Sequence, residues 1–169
     1  MPKSLNCIDF ERWLNAPTTA AGWEKLAAFS PVNFSEPCLE KVLGKAPASG
    51  IVVLEDDGRV WVVSPSNAFG GYMNTFPKGK LDQGLSLRAN SLKEGYEETG
   101  LQVVLTGYLC DSYRSTSVTR YYLARRVGGH PASMGWESQA VSLVPCAQLA
   151  KFVRHKNDEV ILQALQALG

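Results

Sequence analysis

Three glutamates stand close together in the middle of this 169-residue chain. In a helix, with about 100° between successive residues, Glu94, Glu97 and Glu98 project as one carboxylate cluster. Like charges at these spacings destabilise a helix by roughly a few tenths of a kcal/mol per pair, so the cluster favours a counter-ion. Carboxylate oxygens suit Mg²⁺, with Mn²⁺ as the alternative, and Mg²⁺ commonly shares its shell with substrate phosphates. The predicted chemistry is hydrolysis of a phosphate bond.

The residues around the cluster favour a helix over 87–99. Ser86 is a suitable N-cap, and Gly100 suits the left-handed position that ends a helix. The face opposite the glutamates carries residues expected to pack inward, namely Ala89, Leu92 and Tyr96. The alternative is the solvated acidic face of a surface helix, because charge runs are usually solvated. The glycines and the proline before the helix favour the first interpretation.

Residues 79–101 resemble the Nudix box, whose pattern is glycine, five residues, glutamate, seven residues and then Arg-Glu-apolar-x-Glu-Glu-x-Gly-apolar. The residues that match in register are Gly79, Glu94, Glu97, Glu98, Gly100 and Leu101. The lead-in Phe76-Pro77-Lys78 is also similar to that of several branches of the family. The resemblance covers residues 49–168 and implies an α+β fold, a Nudix-like α/β/α sandwich around a mixed β-sheet.

Three positions depart from the box pattern. Leu85 replaces its first glutamate, Lys93 its arginine and Gly95 an apolar residue. Lysine makes a less directional ion pair than the planar arginine fork. Glycine inside a helix costs about 1 kcal/mol relative to alanine, so Gly95→Ala is expected to raise thermal stability unless the glycine permits close packing. For Leu85 three alternatives stay open: the missing glutamate only supported the loop, it was essential for activity, or Leu85 packs against the helix. We predict the first.

The resemblance implies attack of water on a phosphorus atom, with Mg²⁺ held by the three glutamates of the cluster. The backbone carbonyl of Lys78 or Gly79, at the entrance to the box, is expected to complete the metal shell. Several members of the family use one further carboxylate from beyond the box, as ligand or general base, and Glu137 is the candidate here. A surface glutamate beside a packing tryptophan is an equal alternative for Glu137, since a general base must satisfy geometry that a sequence does not show.

Basic and aromatic side chains near the box are candidates for binding the substrate, because arginine and lysine suit phosphate. The predicted set is Lys78, Lys80, Arg114, Arg120 and Tyr72. Arg125 and Arg126 are neighbours on a predicted strand, where only alternate residues share a face, so they should not both contribute. Phe69 and Tyr113 are further candidates for stacking on a base, with local packing as the alternative.

Composition limits the function classes. The net charge of +1, with both signs interspersed, argues against a dedicated nucleic-acid binder, with capped RNA kept as a substrate alternative. The four cysteines are far apart and both histidines are isolated, so neither a zinc site nor a histidine triad is supported. No apolar run approaches the ~18–20 residues that cross a bilayer. We expect a soluble cytoplasmic protein with reduced cysteines, and a homodimer is compatible with the sequence.

Apolar periodicity predicts the remaining elements. The predicted helices are 8–15, 22–29, 38–43, 145–153 and 158–168, and the predicted strands are 51–54, 60–63, 101–109, 118–126 and 139–144. Asp57-Gly58 favours a hairpin between the first two strands, and 128–131 is expected to be a flexible connection. We divide the chain into a helical N-terminal extension, residues 1–48, and a Nudix domain, residues 49–169.

Two functions compete at this level. The first is a Mg²⁺-dependent pyrophosphohydrolase that cleaves a phosphoanhydride bond in a nucleoside diphosphate derivative. The second is a catalytically weak Nudix-like module that binds a nucleotide or a partner, which the three departures from the box motivate. Dinucleoside polyphosphates, ADP-ribose, nucleoside triphosphates, inositol pyrophosphates and capped RNA all stay open as substrates.

Overall fold

The computed structural model describes residues 2–169, which form one four-stranded sheet, two two-stranded sheets and four α-helices. The strands are β1 (Ser4–Leu5), β2 (Ile8–Asp9), β3 (Ala46–Val53), β4 (Arg59–Pro65), β5 (Lys78–Lys80), β6 (Leu101–Tyr113), β7 (Ser117–Gly129) and β8 (Ser138–Pro145). The helices are α1 (Ala20–Ala28), α2 (Leu87–Thr99), α3 (Leu149–Phe152) and α4 (Glu159–Gln166). The central sheet has the order β5-β3-β7-β6, with β3 and β7 parallel and the other neighbours antiparallel. It is therefore a mixed sheet.

Alternate residues of β3 enter two separate hydrophobic layers, as the two-residue period of a strand requires. Ile51 and Val53 pack with α2 on one face of the sheet, whereas Val52 packs with α4 on the other. The helices contribute the buried residues Ala89 and Leu92 from α2, and Ile161 and Leu165 from α4. Helices thus cover both faces of the mixed sheet, which confirms the predicted α/β/α sandwich.

Most predicted elements from residue 87 onward are confirmed, with shifts at their ends. The box helix and the closing helix are α2 and α4, and β6 pairs with β7 in the antiparallel arrangement expected. The helix predicted at 145–153 is shorter, because Pro145 ends β8 and a 3₁₀ turn over Cys146–Gln148 precedes α3. The flexible connection predicted at 128–131 is wrong in its first half, since Gly128 and Gly129 pair with β6 inside β7.

The hairpin predicted between 51–54 and 60–63 is wrong beyond its turn. Gly58, with φ of +80°, reverses the chain, and Leu54 forms a single bridge with Val60. The strands then separate, and β4 pairs with β8 in a sheet of its own. β7 pairs along the whole of one edge of β3, whereas β5 pairs with the other edge only at Ala48–Gly50.

Two predicted helices in the first 45 residues are wrong. Residues 8–15 are not helical, because Asn6 and Cys7 take left-handed conformations and turn the chain into the short β1-β2 pair. Residues 38–43 have no regular secondary structure, and Leu43 is fully exposed. By contrast, the helix predicted at 22–29 is confirmed as α1.

One carboxylate of the N-terminal segment, that of Glu36, contacts both α2 and the central sheet. Glu36 accepts hydrogen bonds from Arg88 of α2 and from Arg120 and Tyr122 of β7. Burial would raise the pKa of Glu36, but these three donors outweigh it and hold the pKa below its usual range. The boundary at residue 48 between extension and domain stays a prediction, and β3 begins two residues before it. None of the helices described for residues 2–169 has both the length and the apolar character to cross a bilayer.

Candidate active site

The ends of α2 are fixed by residues that the sequence identified. The Ser86 hydroxyl accepts from the amide of Ala89, as an N-cap does, and Gly100 ends the helix at φ of +72° with its amide bonded to the Tyr96 carbonyl. Glu24 of α1 accepts from both the amide and the hydroxyl of Ser86. The helix that carries the glutamates is therefore held rigidly against α1 and the sheet.

Three carboxylates meet at the surface of α2. Oxygen atoms of Glu94, Glu98 and Glu137 lie within 4.8 Å of one another. Glu94 and Glu98 are one helical turn apart and buried, whereas Glu137 is exposed and reaches them from the turn before β8. The structure thus brings the candidate beyond the box to two of the three box glutamates. Three oxygen donors at this separation fit a hard divalent cation such as Mg²⁺ or Mn²⁺.

The backbone of β5 packs directly on these carboxylates. A Cβ atom added to Gly79 would lie 2.1 Å from the carboxyl carbon of Glu94, so any larger residue here would displace that carboxylate. The amide of Lys78 donates to Glu98 Oε2 over 3.3 Å. The carbonyl of Gly79, predicted as a metal ligand, accepts a long 3.4 Å hydrogen bond from the side chain of Asn90.

Burial raises the pKa of both inner glutamates. The pKa of Glu94 rises to about 7, with Lys93 opposing the shift and Glu97 and Glu137 adding to it. Burial likewise raises the pKa of Glu98 to about 8, against the charge of Lys78 and with that of Glu94. Neighbouring buried carboxylates favour either a shared proton or a cation between them. The electrostatics therefore agree with the geometry of a cation site.

The structure does not bring Glu97 into this group. Its carboxylate is exposed and pairs with Lys93 Nζ at 2.8 Å, and the same ammonium contacts Asp82 at 3.0 Å and Glu94 at 3.7 Å. Burial would lower the pKa of Lys93, but its bonds to Glu97 and Asp82 outweigh that effect and raise it. Lys93 thus links the loop before α2 to the carboxylates of the helix.

Lys78 is the predicted substrate contact that lies beside the carboxylates. Its ammonium is 5.0 Å from the centre of the Tyr72 ring, and within residues 2–169 it forms no ion pair. Burial lowers the pKa of Lys78, while the charge of Glu98 opposes the shift. A cation in this position can meet a phosphate that approaches Glu98.

Arg114 and Tyr72 are buried: the Tyr72 ring contacts the Lys78 ammonium, and Arg114 bonds the Tyr72 hydroxyl. The guanidinium of Arg114 is buried and bonds Asp158 at 2.6 Å, the Tyr72 hydroxyl at 2.6 Å and the Tyr121 hydroxyl at 2.8 Å. His155 stacks on the Tyr72 ring at 3.9 Å, so that ring cannot also stack on a ligand there. Two predicted substrate contacts are therefore packing residues in this structure.

Arg120 and Lys80 lie outside the group. Arg120 is buried, forms a two-point ion pair with Asp111 at 2.8 Å, and also bonds Glu36 at 2.9 Å. Its guanidinium is engaged by these two carboxylates inside the protein, and its role in phosphate binding stays a prediction. Lys80 is exposed at the end of β5, and no side-chain partner is recorded for it in the part of the chain that the structure describes. Its role as a substrate contact stays a prediction.

The chain is similar to one known protein family over most of its length. A family model of the NUDIX domain matches residues 44–165, well over half of the chain. The chain belongs to the NUDIX family. NUDIX enzymes hydrolyse pyrophosphate bonds, and this protein is a hydrolase of that class. No curated protein sequence matches it at a significant level.

Solved structures share the NUDIX fold at low sequence identity. A NUDIX hydrolase from Nitrosomonas europaea has a TM-score of 0.62 and 15% identity, covering 73% of this chain and 89% of that one. An Ap4A hydrolase of C. elegans in a binary complex has a TM-score of 0.59 and 15% identity, covering 73% and 96%. An ADP-ribose pyrophosphatase from Streptococcus suis 89-1591 has a TM-score of 0.56 and 18% identity, covering 73% and 91%. At such identities the likeness shows the fold alone.

The departures from the NUDIX box each have a structural setting. Lys93 keeps ion pairs with three carboxylates, and Gly95 lets α2 approach β3 so closely that a Cβ there would lie 2.2 Å from Ile51 Cδ1. Leu85 is half-buried and packs against the α2 side of the core. None of the three removes a carboxylate from the Glu94, Glu98 and Glu137 group.

Asn90 is a site residue that the sequence analysis missed. It is buried, donates to the Ser49 hydroxyl at 3.0 Å and accepts from the amide of Asp82 at 3.0 Å. It therefore ties the NUDIX loop to α2 and β3. A polar residue on the inward face of the helix, one position after Ala89, was the signal that could have identified it.

Proposed function

We propose that this protein is a Mg²⁺-dependent pyrophosphohydrolase that cleaves a phosphoanhydride bond in a nucleoside diphosphate derivative. The observation that carries the proposal is the meeting of Glu94, Glu98 and Glu137 within 4.8 Å, with the Lys78 ammonium beside them. Two structural relatives are described as acting on Ap4A and ADP-ribose, which are both nucleoside diphosphate derivatives. They support this substrate class without choosing within it.

Glu94, Glu98 and Glu137 are the residues that would hold the cation, and the backbone at Lys78 and Gly79 closes the site from the side of β5. A bound Mg²⁺ would lower the pKa of water and neutralise charge on the phosphoryl oxygens. Whether Glu97 leaves Lys93 and joins the ligands stays a prediction. The same holds for a ligand role of either backbone carbonyl.

The protein's own residues have separate tasks in this proposal. Lys78 offers its ammonium to an anionic oxygen of the diphosphate, at a position fixed by the Tyr72 ring. Glu137, the exposed member of the group, is the carboxylate that solvent reaches; one of its oxygens would face the cation, and the other would accept the proton of the attacking water. Asn90 and Lys93 hold the loop and the helix at a fixed separation.

The alternative, a weak binding module, rested on the three departures from the box. Lys93, Gly95 and Leu85 each have a packing or ion-pair role that leaves the carboxylate group intact. No observation in residues 2–169 favours the module over the enzyme. The cytoplasmic location stays a prediction, as does a homodimer, and all four cysteines are free thiols.

A substrate panel tests the proposal. The purified protein is incubated with ADP-ribose, diadenosine tetraphosphate, nucleoside triphosphates, inositol pyrophosphate and capped RNA, with Mg²⁺ or with excess EDTA, and products are separated by chromatography. We expect cleavage of at least one nucleoside diphosphate derivative in Mg²⁺ alone. Cleavage that persists in EDTA, or of inositol pyrophosphate only, would contradict the proposal.

A further inference from the structure

The loop after β4 is tied to the turn that carries Glu137. The amide of Ser66 donates to the Glu137 carbonyl at 2.8 Å, and the Ser66 hydroxyl donates to the Trp136 carbonyl at 2.6 Å. The loop over Ser66–Gly71 therefore borders the carboxylate group, although it lies far from α2 in the sequence.

Each of the two segments leaves a large aromatic side chain in water. Phe69 is 83% exposed and Trp136 is 84% exposed, whereas Trp23 and Trp61 are buried. One exposed apolar residue needs no explanation, but here two occur on segments that are hydrogen-bonded to each other and that adjoin Glu137. Phe69 follows Ser66 by three residues, so its Cα lies within roughly 11 Å of the bonds that join the segments.

The backbone of the loop holds Phe69 in this outward position. Asn67 and Ala68 take left-handed conformations, with φ of 55° and 49°, and Gly70 and Gly71 follow with φ of 68° and 81°. An alanine in this region is disfavoured by contact of its Cβ with the backbone. Such residues persist where the surroundings fix them, commonly at ligand clamps. The loop therefore has an unfavourable backbone conformation beside an aromatic ring that is mostly exposed to solvent.

The chemistry beside the two rings identifies their ligand. The carboxylate group suits a cation, which in turn would bind a diphosphate, and the Lys78 ammonium adds an anion contact. A molecule that also fills the aromatic surface must join its diphosphate to a flat apolar group. We propose that Phe69 and Trp136 form a stacking site for the planar base of a nucleoside diphosphate. Aromatic side chains bind bases of any identity through the π-face, so the site selects for a base without reading its edge. This inference rests on the proposed function, since it places the base of that substrate.

The test compares two ligands that differ only in the nucleoside and cannot be hydrolysed. These are α,β-methylene-ADP and methylenediphosphonate, each titrated with Mg²⁺ in a calorimeter. Fluorescence gives a second measurement, because Trp136 is the most exposed tryptophan of the chain. The variants are Phe69→Ala, Trp136→Ala and Trp136→Phe. Phe29→Ala is the matched control, because Phe29 is 71% exposed at the end of α1, away from the loop.

We expect α,β-methylene-ADP to bind more tightly than methylenediphosphonate and to quench Trp136. Phe69→Ala and Trp136→Ala should each weaken α,β-methylene-ADP binding about tenfold, the scale of one lost stacking contact, and leave methylenediphosphonate unaffected. Trp136→Phe should lose the fluorescence change but keep most of the affinity. Phe29→Ala should bind both ligands like the parent protein.

Equal binding of the two ligands by the parent protein would overturn the stacking site. The stacking site would also be overturned if both alanine variants lost as much affinity for methylenediphosphonate as for α,β-methylene-ADP. Such a result would indicate a general disturbance of the carboxylate group. These measurements need no turnover, so they remain decisive if the substrate panel shows no hydrolysis. Conversely, metal-dependent hydrolysis with unchanged KM in Phe69→Ala and Trp136→Ala would leave the proposed function standing and remove the stacking site.

Discussion

Replacing Gly95 by alanine separates two effects that act in opposite directions. Helix propensity favours alanine by about 1 kcal/mol. The new Cβ, however, would lie 2.2 Å from Ile51 Cδ1 and 3.0 Å from Cγ1, and Ile51 is completely buried between α2 and the sheet. Overpacking of this kind costs about 1–3 kcal/mol. We therefore expect Gly95→Ala to lower the free energy of unfolding by about 1 kcal/mol, or ~2–4 °C in the melting midpoint.

The assay is chemical and thermal unfolding followed by circular dichroism, with Ile51→Val as the matched second change. Valine lacks the Cδ1 atom, so it makes room for the new Cβ, although alone it costs about 0.5–1.5 kcal/mol. The double variant should then be more stable than the sum of the single effects by about 1 kcal/mol. A higher midpoint for Gly95→Ala alone, or strict additivity, would refute the close-packing argument.

Three further predictions concern other parts of the molecule. Leu85→Glu should change kcat by less than about tenfold. It should lower the melting midpoint, because it places a charge against the α2 side of the core. A gain in kcat above about a hundredfold from an inert parent protein would contradict this prediction. In EDTA, the free energy of unfolding should fall as pH rises from about 4.5 to about 8, because the native protein keeps protons on Glu94 and Glu98 that the unfolded chain has lost. Glu98→Gln should reduce this pH dependence. An unchanged pH dependence in unfolding experiments on that variant would be evidence against the raised pKa of Glu98. Arg120→Met should lower the free energy of unfolding by about 3 kcal/mol, since it leaves Asp111 without its ion-pair partner and removes one of three donors to Glu36. Urea denaturation that shows no loss would argue against that ion pair.

The local frame of the site could be predicted from the sequence because it depends on short-range rules. Ser86 and Gly100 are cap residues whose types nearly determine their conformations, and they fix the register of Glu94 and Glu98 on α2. The β-branched run at 51–54 similarly predicted a strand, and its first three residues lie in β3.

Partners distant in sequence could not be predicted in this way. The Asp57-Gly58 turn indicated a hairpin, but beyond the single Leu54–Val60 bridge β4 pairs with β8, which lies far along the sequence. Arg120 has the chemistry of a phosphate contact, yet Asp111 and Glu36 occupy it from other elements. Glu97 differs from Glu98 only in its direction on the helix, which places one beside Lys93 and the other beside Lys78.

The central claim, that the buried carboxylates hold the cation used in hydrolysis, is tested most directly by the hydrolysis rate as a function of Mg²⁺ concentration. The rate is measured for the parent protein, for Glu98→Gln, and for Glu11→Gln, which removes an exposed carboxylate outside the site. We predict that the parent and Glu11→Gln show the same Mg²⁺-dependent rate, and that Glu98→Gln is slower by about a hundredfold or more at saturating Mg²⁺ while it stays folded. A folded Glu98→Gln variant with the parent rate, or a parent rate independent of Mg²⁺, would contradict the claim.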